Sequence, residues 1–207
     1  VGGAKFVAEI GWREFGHHLL HHFPDTPEQP LRAEFAAFPW KKDRRLLRAW
    51  QQGRTGYPIV DAAMRQIAHS GYMHNRLRMV VASFCTKILL VDWKRVERYF
   101  SLKLLDYELQ ANNGGWQWSA GIGCDAAPYF RIFNPYTQSE TYDPTGDFIR
   151  TYCPELSGFS GREIHCPSTA KRVPTGFQLG RDYPFPIVDY RTQRQVCMDF
   201  FATAGTA

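Results

Sequence analysis

The 207 residues are 44% hydrophobic and 22% charged, which is typical of one globular domain with a substantial core and excludes a disordered or fibrous chain. The chain has no charged-then-apolar leader and no apolar run long enough to cross a bilayer, and its five cysteines form no CxxC pair. We therefore predict free thiols in a cytoplasmic protein without a membrane partner, whose net charge of +5 only weakly favours a polyanionic partner.

Hydrophobic periodicity and helix-ending residues divide the chain into seven predicted helices. Apolar residues from Phe6 onward recur at helical spacing until Pro24, and the pattern that begins at Met73 is the strongest in the chain. Gly53 and Gly71 are placed to end two of the helices. In chain order, the predicted helices cover residues 6–23, 42–52, 58–70, 73–90, 93–105, 145–152 and 186–202.

Residues 24–40, rich in Pro and aromatic residues, are predicted to be an irregular connection, and residues 112–145, rich in Gly, Asn and Pro, are predicted to be mostly loops with short helical turns. No alternating apolar pattern of the kind that predicts strands occurs, and no internal repeat is found. The predicted fold class is therefore all-α, with one domain over residues 1–207. Because the chain opens at Val1 without an initiator Met and continues directly into a helical pattern, we expect it to be part of a longer protein.

Two motifs suggest other functions, but their surroundings do not support them. Residues 121–126 fit G-x-G-x-x-A, a dinucleotide-binding fingerprint, although no predicted strand or βαβ unit surrounds them. Two histidine pairs at i,i+4 within residues 17–22 could hold a metal, but no third ligand is apparent. A hydrated helix face is the preferred interpretation of these histidines. No nucleophile–base motif of a hydrolase is present.

Two helix faces combine charged, polar and large apolar side chains, as the wall of a ligand pocket does. Helical spacing places on these faces Glu9, Trp12 and Arg13 in the first helix, and Asn75, Arg78 and Met79, beside Arg76, in the strongest helix. For the first face the alternative is an amphipathic edge with an ordinary Glu–Arg helical pair, and for the second it is core packing. The residues alone leave both alternatives open.

The segment from Leu105 to Trp118 carries the densest group of polar side chains. Its Asn-Asn-Gly-Gly run at residues 112–115 predicts a flexible loop whose backbone and amide side chains can approach a ligand closely. Trp116 and Trp118 follow it directly. A loop with buried tryptophans is the alternative, but it does not explain why so many hydrogen-bond donors and acceptors cluster there. A planar ligand with ring heteroatoms would explain them.

Five longer runs occur in a fixed order over about residues 5–190. They are Glu9-Ile-Gly-Trp-Arg-Glu-Phe, Thr55-Gly-Tyr-Pro-Ile-Val-Asp-Ala-Ala-Met-Arg, Gly71-Tyr-Met-His-Asn-Arg-Leu-Arg-Met, Ala111-Asn-Asn-Gly-Gly-Trp-Gln-Trp and Tyr129-Phe-Arg-Ile-Phe-Asn-Pro. With these runs the chain resembles the photolyase/cryptochrome family, most closely the class I cyclobutane pyrimidine dimer photolyases. The resemblance implies the irregular multi-helix FAD- and DNA-binding domain of that family, without its N-terminal antenna domain or the segment that grips the FAD phosphates.

The resemblance implies a deoxyribodipyrimidine photo-lyase, in which excited reduced FAD lends an electron to a pyrimidine dimer flipped out of DNA. A monomer is expected, with an antenna chromophore only in the full-length protein. The implied cofactor-binding residues are Phe6, Arg78, Asp106, Tyr107, Glu108 and Asn112. The residues implied to act on the dimer are Glu9, Trp12, Asn75, Met79 and Trp118. The residues implied to hold the DNA are Glu9, Trp12, Arg13, Asn75, Arg76 and Gln138.

Individual roles also follow from the family pattern. Asn112 would face flavin N5, and Arg78 and Asp106 would form an ion pair beside the flavin ring. Glu9 would hydrogen-bond the dimer. The implied electron relay from the surface to oxidised flavin consists of Trp40, Trp93 and Trp116. Core packing is the alternative for these three indoles.

The chain departs from the family pattern at two positions, and two related functions compete with repair. Glu108 stands where a second Asp is frequent, and Phe6 stands where an indole is frequent.

A cryptochrome-type photoreceptor is the main alternative, although plant-type receptors typically carry Asp at the position of Asn112. A (6-4) photolyase would be expected to place a histidine at or near Asn75. A chain that only binds DNA is the third alternative.

Overall fold

A computed structural model describes residues 2–126, 128 and 130–204, so that Tyr129 of the fifth run lies outside the described residues. The helices are α1 (Gly2–His22), α2 (Arg44–Gln51), α3 (Pro58–Ser70), α4 (Asn75–Ser83), α5 (Trp93–Ser101), α6 (Leu109–Ala120), α7 (Pro135–Tyr142), α8 (Asp147–Tyr152) and α9 (Tyr190–Ala204). Short 3₁₀ turns lie at Ala33–Phe35, Pro154–Leu156, Gly161–His165 and Pro167–Thr169. Within the described ranges no strand forms beyond isolated bridges, which confirms the predicted all-α class.

Several helix ends lie where the sequence predicts them because a turn residue holds them. Asp43 begins α2 by accepting hydrogen bonds from the backbone N–H groups of Arg45 and Leu46. Pro58 occupies the first turn of α3, and Gly71 ends that helix with a φ of 67°, a left-handed conformation that glycine adopts readily. These local signals act without help from distant residues.

Other bounds differ from the prediction. Helix α4 begins two residues later than predicted, because the His74 ring accepts a hydrogen bond from the backbone of Arg76, and it continues into a π-helical turn at Phe84–Ile88. Helix α5 ends at residue 101 and not near 105. Helix α9 begins four residues later than predicted, directly after Asp189, whose carboxylate accepts a hydrogen bond from the Thr192 backbone.

The prediction that residues 112–145 are mostly loop is wrong. Helix α6 covers Leu109–Ala120 and includes the whole Asn-Asn-Gly-Gly run, and α7 covers Pro135–Tyr142. Each glycine in a helix costs about 1 kcal/mol relative to alanine. That cost is offset by the cap from Glu108, which accepts two backbone hydrogen bonds, and by burial of Trp116 and Gln117. The supposed flexible loop is a packed helix.

The core consists of two clusters, while α1 remains largely exposed. The larger cluster lies among α2 to α6 and α9, and the smaller one packs α8 and the 3₁₀ turns against α3. Of the residues of α1 only Gly16 is buried, and Phe6 and Trp12 are 68% and 61% exposed. All five cysteines are free thiols, as predicted. In the part of the chain that the structure describes, no helix is long and apolar enough to span a membrane.

A buried carboxylate ties three parts of the chain together at α3. Asp61 is fully buried and accepts hydrogen bonds from the Thr55 backbone (2.7 Å), the Thr55 hydroxyl (2.6 Å), the Gly56 backbone (3.0 Å) and the Tyr183 hydroxyl (2.5 Å). Desolvation raises the pKa of Asp61, and these donors oppose the rise. The carboxylate thus joins the loop before α3 to the segment before α9.

We predict that Asp61→Ala lowers the free energy of unfolding by about 3 kcal/mol or more, because it leaves several buried donors unpaired. Tyr183→Phe removes one donor and leaves the carboxylate with three others, so we expect a loss of about 1 kcal/mol. Urea unfolding of the whole protein measures both. Equal losses for the two variants would contradict the assignment of Asp61 as the shared acceptor.

Candidate functional site

A cavity of about 600 Å³ lies between α1, α4, α6 and the segment that leads into α6. Ligand pockets have volumes of about 300–1,000 Å³. The predicted site residues that line it are Glu9, Trp12, Arg13, Asn75, Arg78, Met79, Asp106, Tyr107, Glu108, Asn112, Trp116 and Trp118. The two helix faces and the polar segment singled out in the sequence therefore meet at one cavity.

The predicted site residues that do not line this cavity are Phe6, Arg76, Gln138, Trp40 and Trp93. Phe6 is exposed on α1. The guanidinium carbon of Arg76 lies 4.7 Å from the ring centroid of Tyr142, which places Arg76 beside α7, the helix that carries Gln138. The roles assigned to these residues stay predictions.

Helix α1 forms one wall of the cavity and contacts α6. The side-chain amide of Gln110 on α6 occupies the space that a Cβ atom at Gly16 would take, so a larger residue at position 16 would displace that amide. One turn earlier, Trp12 and Glu9 line the cavity with much of their surface exposed. Glu9 pairs with Lys5 at 3.7 Å, so the Glu9–Arg13 pair that we considered as an alternative does not form.

The opposite wall contains the predicted ion pair between α4 and the segment before α6. The Arg78 guanidinium donates to both carboxylate oxygens of Asp106, at 2.8 and 3.0 Å, and its Nε donates to the backbone oxygen of Met73 at 2.7 Å. A partly exposed ion pair contributes only about 0–1 kcal/mol to stability. Its main effect is to hold a fixed pair of opposite charges at the cavity wall.

Glu108 has a structural task at the start of α6. Its carboxylate accepts hydrogen bonds from the backbone N–H groups of Gln110 (3.1 Å) and Ala111 (2.8 Å). A side-chain acceptor at this position satisfies backbone donors that have no partner within the helix. An aspartate there could cap the helix in the same way, so the departure from the family pattern preserves the local structure.

Asn112 is oriented by a residue that the sequence analysis did not identify. Its amide nitrogen donates to the Glu97 carboxylate at 2.8 Å, and Glu97 is half-buried on α5. Burial raises the pKa of Glu97, and the hydrogen bond from Asn112 opposes this rise. Because the nitrogen is committed to Glu97, the amide oxygen is the atom left to face a ligand in the cavity. No local sequence signal links residues 97 and 112.

Gln117, which lies between the two indoles of α6, is a second residue that sequence analysis left without a role. It is 3% exposed, and its amide oxygen accepts a hydrogen bond from the Leu31 backbone at 2.9 Å. Its amide nitrogen donates to the backbone oxygens of Thr26 (2.7 Å) and Gln29 (3.2 Å) and to the Asn113 side chain (3.2 Å). Gln117 therefore holds the connection that follows α1 against α6.

Two buried polar atoms at the cavity have no hydrogen-bond partner among the described residues. They are the amide oxygen of Gln110 and the amide nitrogen of Asn113, and both residues line the cavity. Buried polar groups in native proteins are almost always paired, so an unpaired one requires an explanation. A ligand with its own donors and acceptors would satisfy both atoms.

The indoles predicted to relay electrons belong to the larger hydrophobic cluster. Trp116 is 3% and Trp93 1% exposed, and Trp40 is partly buried, with its ring centroid 4.4 Å from that of Phe38. The Trp116 ring lies 6.0 Å from that of Trp50, a fully buried indole that sequence analysis did not single out. Burial fits both core packing and a relay, so the relay stays a prediction.

The structure does not support the other motifs considered in the sequence. Gly121 ends α6 with a φ of 83°, and no strand precedes it, so residues 121–126 are not a dinucleotide-binding turn. The four histidines at the end of α1 are exposed, and no group of three potential metal ligands occurs among the described residues. The preference for a hydrated helix face stays a prediction.

Comparison with known proteins yields one family. A model described as the FAD-binding domain of DNA photolyase matches residues 6–203. The deoxyribodipyrimidine photo-lyase of Escherichia coli is 50% identical over 194 residues, which are 93% of this chain and 40% of that protein. The deoxyribodipyrimidine photo-lyase of Alkalihalophilus pseudofirmus is 47% identical over 200 residues, 95% of this chain and 42% of that protein.

Solved structures that match the chain belong to the same family. A bacterial class III photolyase from Agrobacterium tumefaciens superposes with a TM-score of 0.94 at 45% identity, over 98% of this chain and 43% of that one. A Synechocystis cryptochrome superposes with a TM-score of 0.88 at 36% identity, over 94% of this chain and 41% of that one. The family resemblance is therefore confirmed, and the chain spans about two fifths of the length of these relatives.

We predict that Gln117→Leu, a change of similar volume, lowers the free energy of unfolding by about 1–3 kcal/mol, because the buried amide loses its hydrogen bonds to three partly buried backbone groups and to Asn113. The matched control is Gln195→Leu, an exposed glutamine on α9, which we expect to change stability by no more than about 0.5 kcal/mol. Thermal or urea unfolding of the whole protein measures both variants. Equal stabilities would show that Gln117 does not hold the connection after α1.

Proposed function

The chain belongs to the family of FAD-binding domains of DNA photolyases, and from this membership we propose that the protein containing it is a light-driven photolyase that repairs pyrimidine dimers in DNA. The observation that carries the proposal is the shared cavity. All five residues assigned to the dimer and five of the six assigned to FAD line the same space. A reaction in which a cofactor acts directly on a flipped base requires such an arrangement.

The cavity walls fit the ring system of a flavin. A flavin ring has apolar faces and a polar edge of nitrogen and oxygen atoms. The free oxygen of Asn112 and the unpaired atoms of Gln110 and Asn113 offer matching hydrogen-bond groups. Arg78 would place its positive charge beside the ring and favour the anionic reduced form, although Asp106 partly offsets that charge. When bound, reduced FAD would supply the electron that opens the dimer.

The residues of this chain would bind and orient the dimer. Trp12 and Trp118 lie on α1 and α6 and would pack their indole rings against the bases. Glu9 would accept a hydrogen bond from a base N–H group, and Asn75 and Met79 would complete the pocket from α4. Much of the surface of Glu9 and Trp12 is exposed, so a base entering from DNA can reach both.

Residues near the cavity mouth would hold the DNA strand. Arg13 lines the cavity on the same helix as Glu9 and would contact a phosphate next to the flipped bases. Arg76 follows Asn75 on α4, and its contact with Tyr142 brings it next to the helix that carries Gln138. We propose these three residues as strand contacts. A monomeric state and a cytoplasmic location stay predictions.

The alternative of a light receptor that does not repair DNA has less support. The cryptochrome of Synechocystis is 36% identical to this chain, whereas the photo-lyase of Escherichia coli is 50% identical. The repair assay described next separates the two, because a receptor of that kind would bind flavin and leave the dimers intact.

We predict that the reduced whole protein removes thymine dimers from an oligonucleotide in blue light and leaves them intact in darkness. Glu9→Ala should lower the light-driven rate at limiting substrate about tenfold or more, since a hydrogen bond to a charged group contributes about 1.5–3 kcal/mol. Trp12→Ala should weaken dimer binding. Chromatography of the digested oligonucleotide measures the remaining dimers.

Asp199→Ala is the control for Glu9→Ala. Asp199 is an exposed carboxylate on α9, and it does not line the cavity. This variant should repair at the wild-type rate. Absence of light-dependent repair in the wild type would refute the proposed function, and equal rates for the two alanine variants would refute the role of Glu9.

We also predict that Glu97→Leu makes the reduced flavin of the whole protein reoxidise faster in air. The Asn112 amide would lose the acceptor that fixes its orientation, and its oxygen would no longer be held toward the ring. Glu97→Gln retains an amide oxygen that can accept the same hydrogen bond and should behave much more like the wild type. Flavin absorbance measures the rate. Equal rates for both variants would contradict this role of Glu97.

A further inference from the structure

Helices α2 and α5 lie side by side and run in the same direction. At their beginning the Lys41 backbone N–H donates to the Leu90 oxygen at 2.7 Å. At their end the Tyr99 hydroxyl donates to the Gln51 oxygen at 3.1 Å. The exposed side chains of the two helices therefore lie on neighbouring parts of the surface.

This surface is strongly basic. The residues that we call the basic strip are Lys42, Arg44, Arg45 and Arg48 around α2 and Arg95 and Arg98 on α5. All of them are exposed except Arg95, which is half-exposed, and none lines the cavity. Three carboxylates lie nearby, but each is already engaged: Asp43 caps α2, Asp92 caps α5 and Glu97 binds Asn112.

Only part of the basic strip stabilises the helices that carry it, since Arg48 and Arg98 stand in the last turns of α2 and α5, where a positive charge is favourable. Arg44 and Arg45 stand in the first turn of α2, at the positive end of the helix dipole, where acidic residues are favourable and none is present. Arg44 and Arg48 are four residues apart, a spacing at which like charges repel each other. No described carboxylate forms an ion pair with any residue of the strip. The charges are therefore available to an external partner.

The character of the strip favours phosphate groups over a membrane or a protein surface. The apolar residues of α2, Leu46, Leu47 and Trp50, are buried in the core, so this helix has no apolar face to insert into lipid. Leu102, directly after α5, is the one large apolar side chain exposed at the described ends of α2 and α5, whereas protein interfaces rely on several such anchors. Five of the six residues are arginines, whose planar guanidinium group suits phosphate oxygens.

We propose that the basic strip is a second DNA-contacting surface, which binds the phosphate backbone of undamaged duplex independently of sequence. It goes beyond the proposed function, which places DNA only at the cavity. Contacts of this kind give a protein affinity for any stretch of duplex and allow it to move along DNA toward a lesion.

The test is the salt dependence of binding to undamaged duplex DNA. Each neutralised phosphate contributes about 0.9 to the slope of the logarithm of the binding constant against the logarithm of salt concentration. In the whole protein, the combined variant Arg44→Gln, Arg45→Gln and Arg48→Gln should therefore lose about 2–3 from the magnitude of this slope. The combined change of the same residues to lysine should keep the slope, because it keeps the charges.

A matched control removes three positive charges elsewhere. Arg162→Gln, Lys171→Gln and Arg172→Gln change exposed residues in the 3₁₀-rich segment by the same total charge. This control should keep the wild-type slope. Equal slopes for the two glutamine variants would overturn the proposal. It would also be overturned if the strip variant lost binding to phosphatidylserine vesicles but not to duplex DNA.

Repair of dimers at saturating substrate, measured on the same proteins, separates this proposal from the proposed function. The glutamine variant of the strip should repair at the wild-type rate once the substrate is bound, since none of its residues lines the cavity. If the wild type repairs no dimer but its salt slope still exceeds that of the glutamine variant, the repair function is refuted and the role of the basic strip is supported.

Discussion

The position of α1 depends on the buried amide of Gln117. The side chain is almost fully buried, and it uses both its oxygen and its nitrogen to hold the partly buried backbone of the connection after α1. Each of these hydrogen bonds contributes about 0.5–1.5 kcal/mol, so together they restrain the connection. The restraint keeps the wall formed by Glu9 and Trp12 next to α6.

Buried polar groups play two parts in this structure. Asp61 and Gln117 have partners for their donors and acceptors, and these groups join distant segments. At the cavity, Gln110 and Asn113 each keep an atom without a partner, and Asn112 keeps its oxygen available. Two further unpaired atoms, the amide oxygens of Gln66 and Gln138, lie outside the cavity lining. A ligand in the cavity would satisfy the first two, because buried polar groups in native proteins are almost always paired.

The exposed residues of α1 also differ in character from those of α2 and α5. Helix α1 has large apolar residues exposed beside the cavity, including Trp12, whereas the exposed side chains within α2 and α5 are mainly arginines. An exposed indole at a cavity can pack against a base, and a row of arginines can bind a phosphate backbone. In the proposed photolyase these two surfaces would recognise the lesion and the intact duplex, respectively.

The sequence by itself determined the all-α class, most helix positions and the membership of the family, because periodicity, capping residues and long motifs are local features. Most of the site residues that it named line the cavity. Only the tertiary structure decided that Asn112–Trp118 is helical, since the cost of its two glycines is offset by buried contacts with distant residues. The same holds for Glu97, Trp50 and the role of Gln117: their partners lie 15 to 91 residues away in the chain, and no local pattern records such pairs.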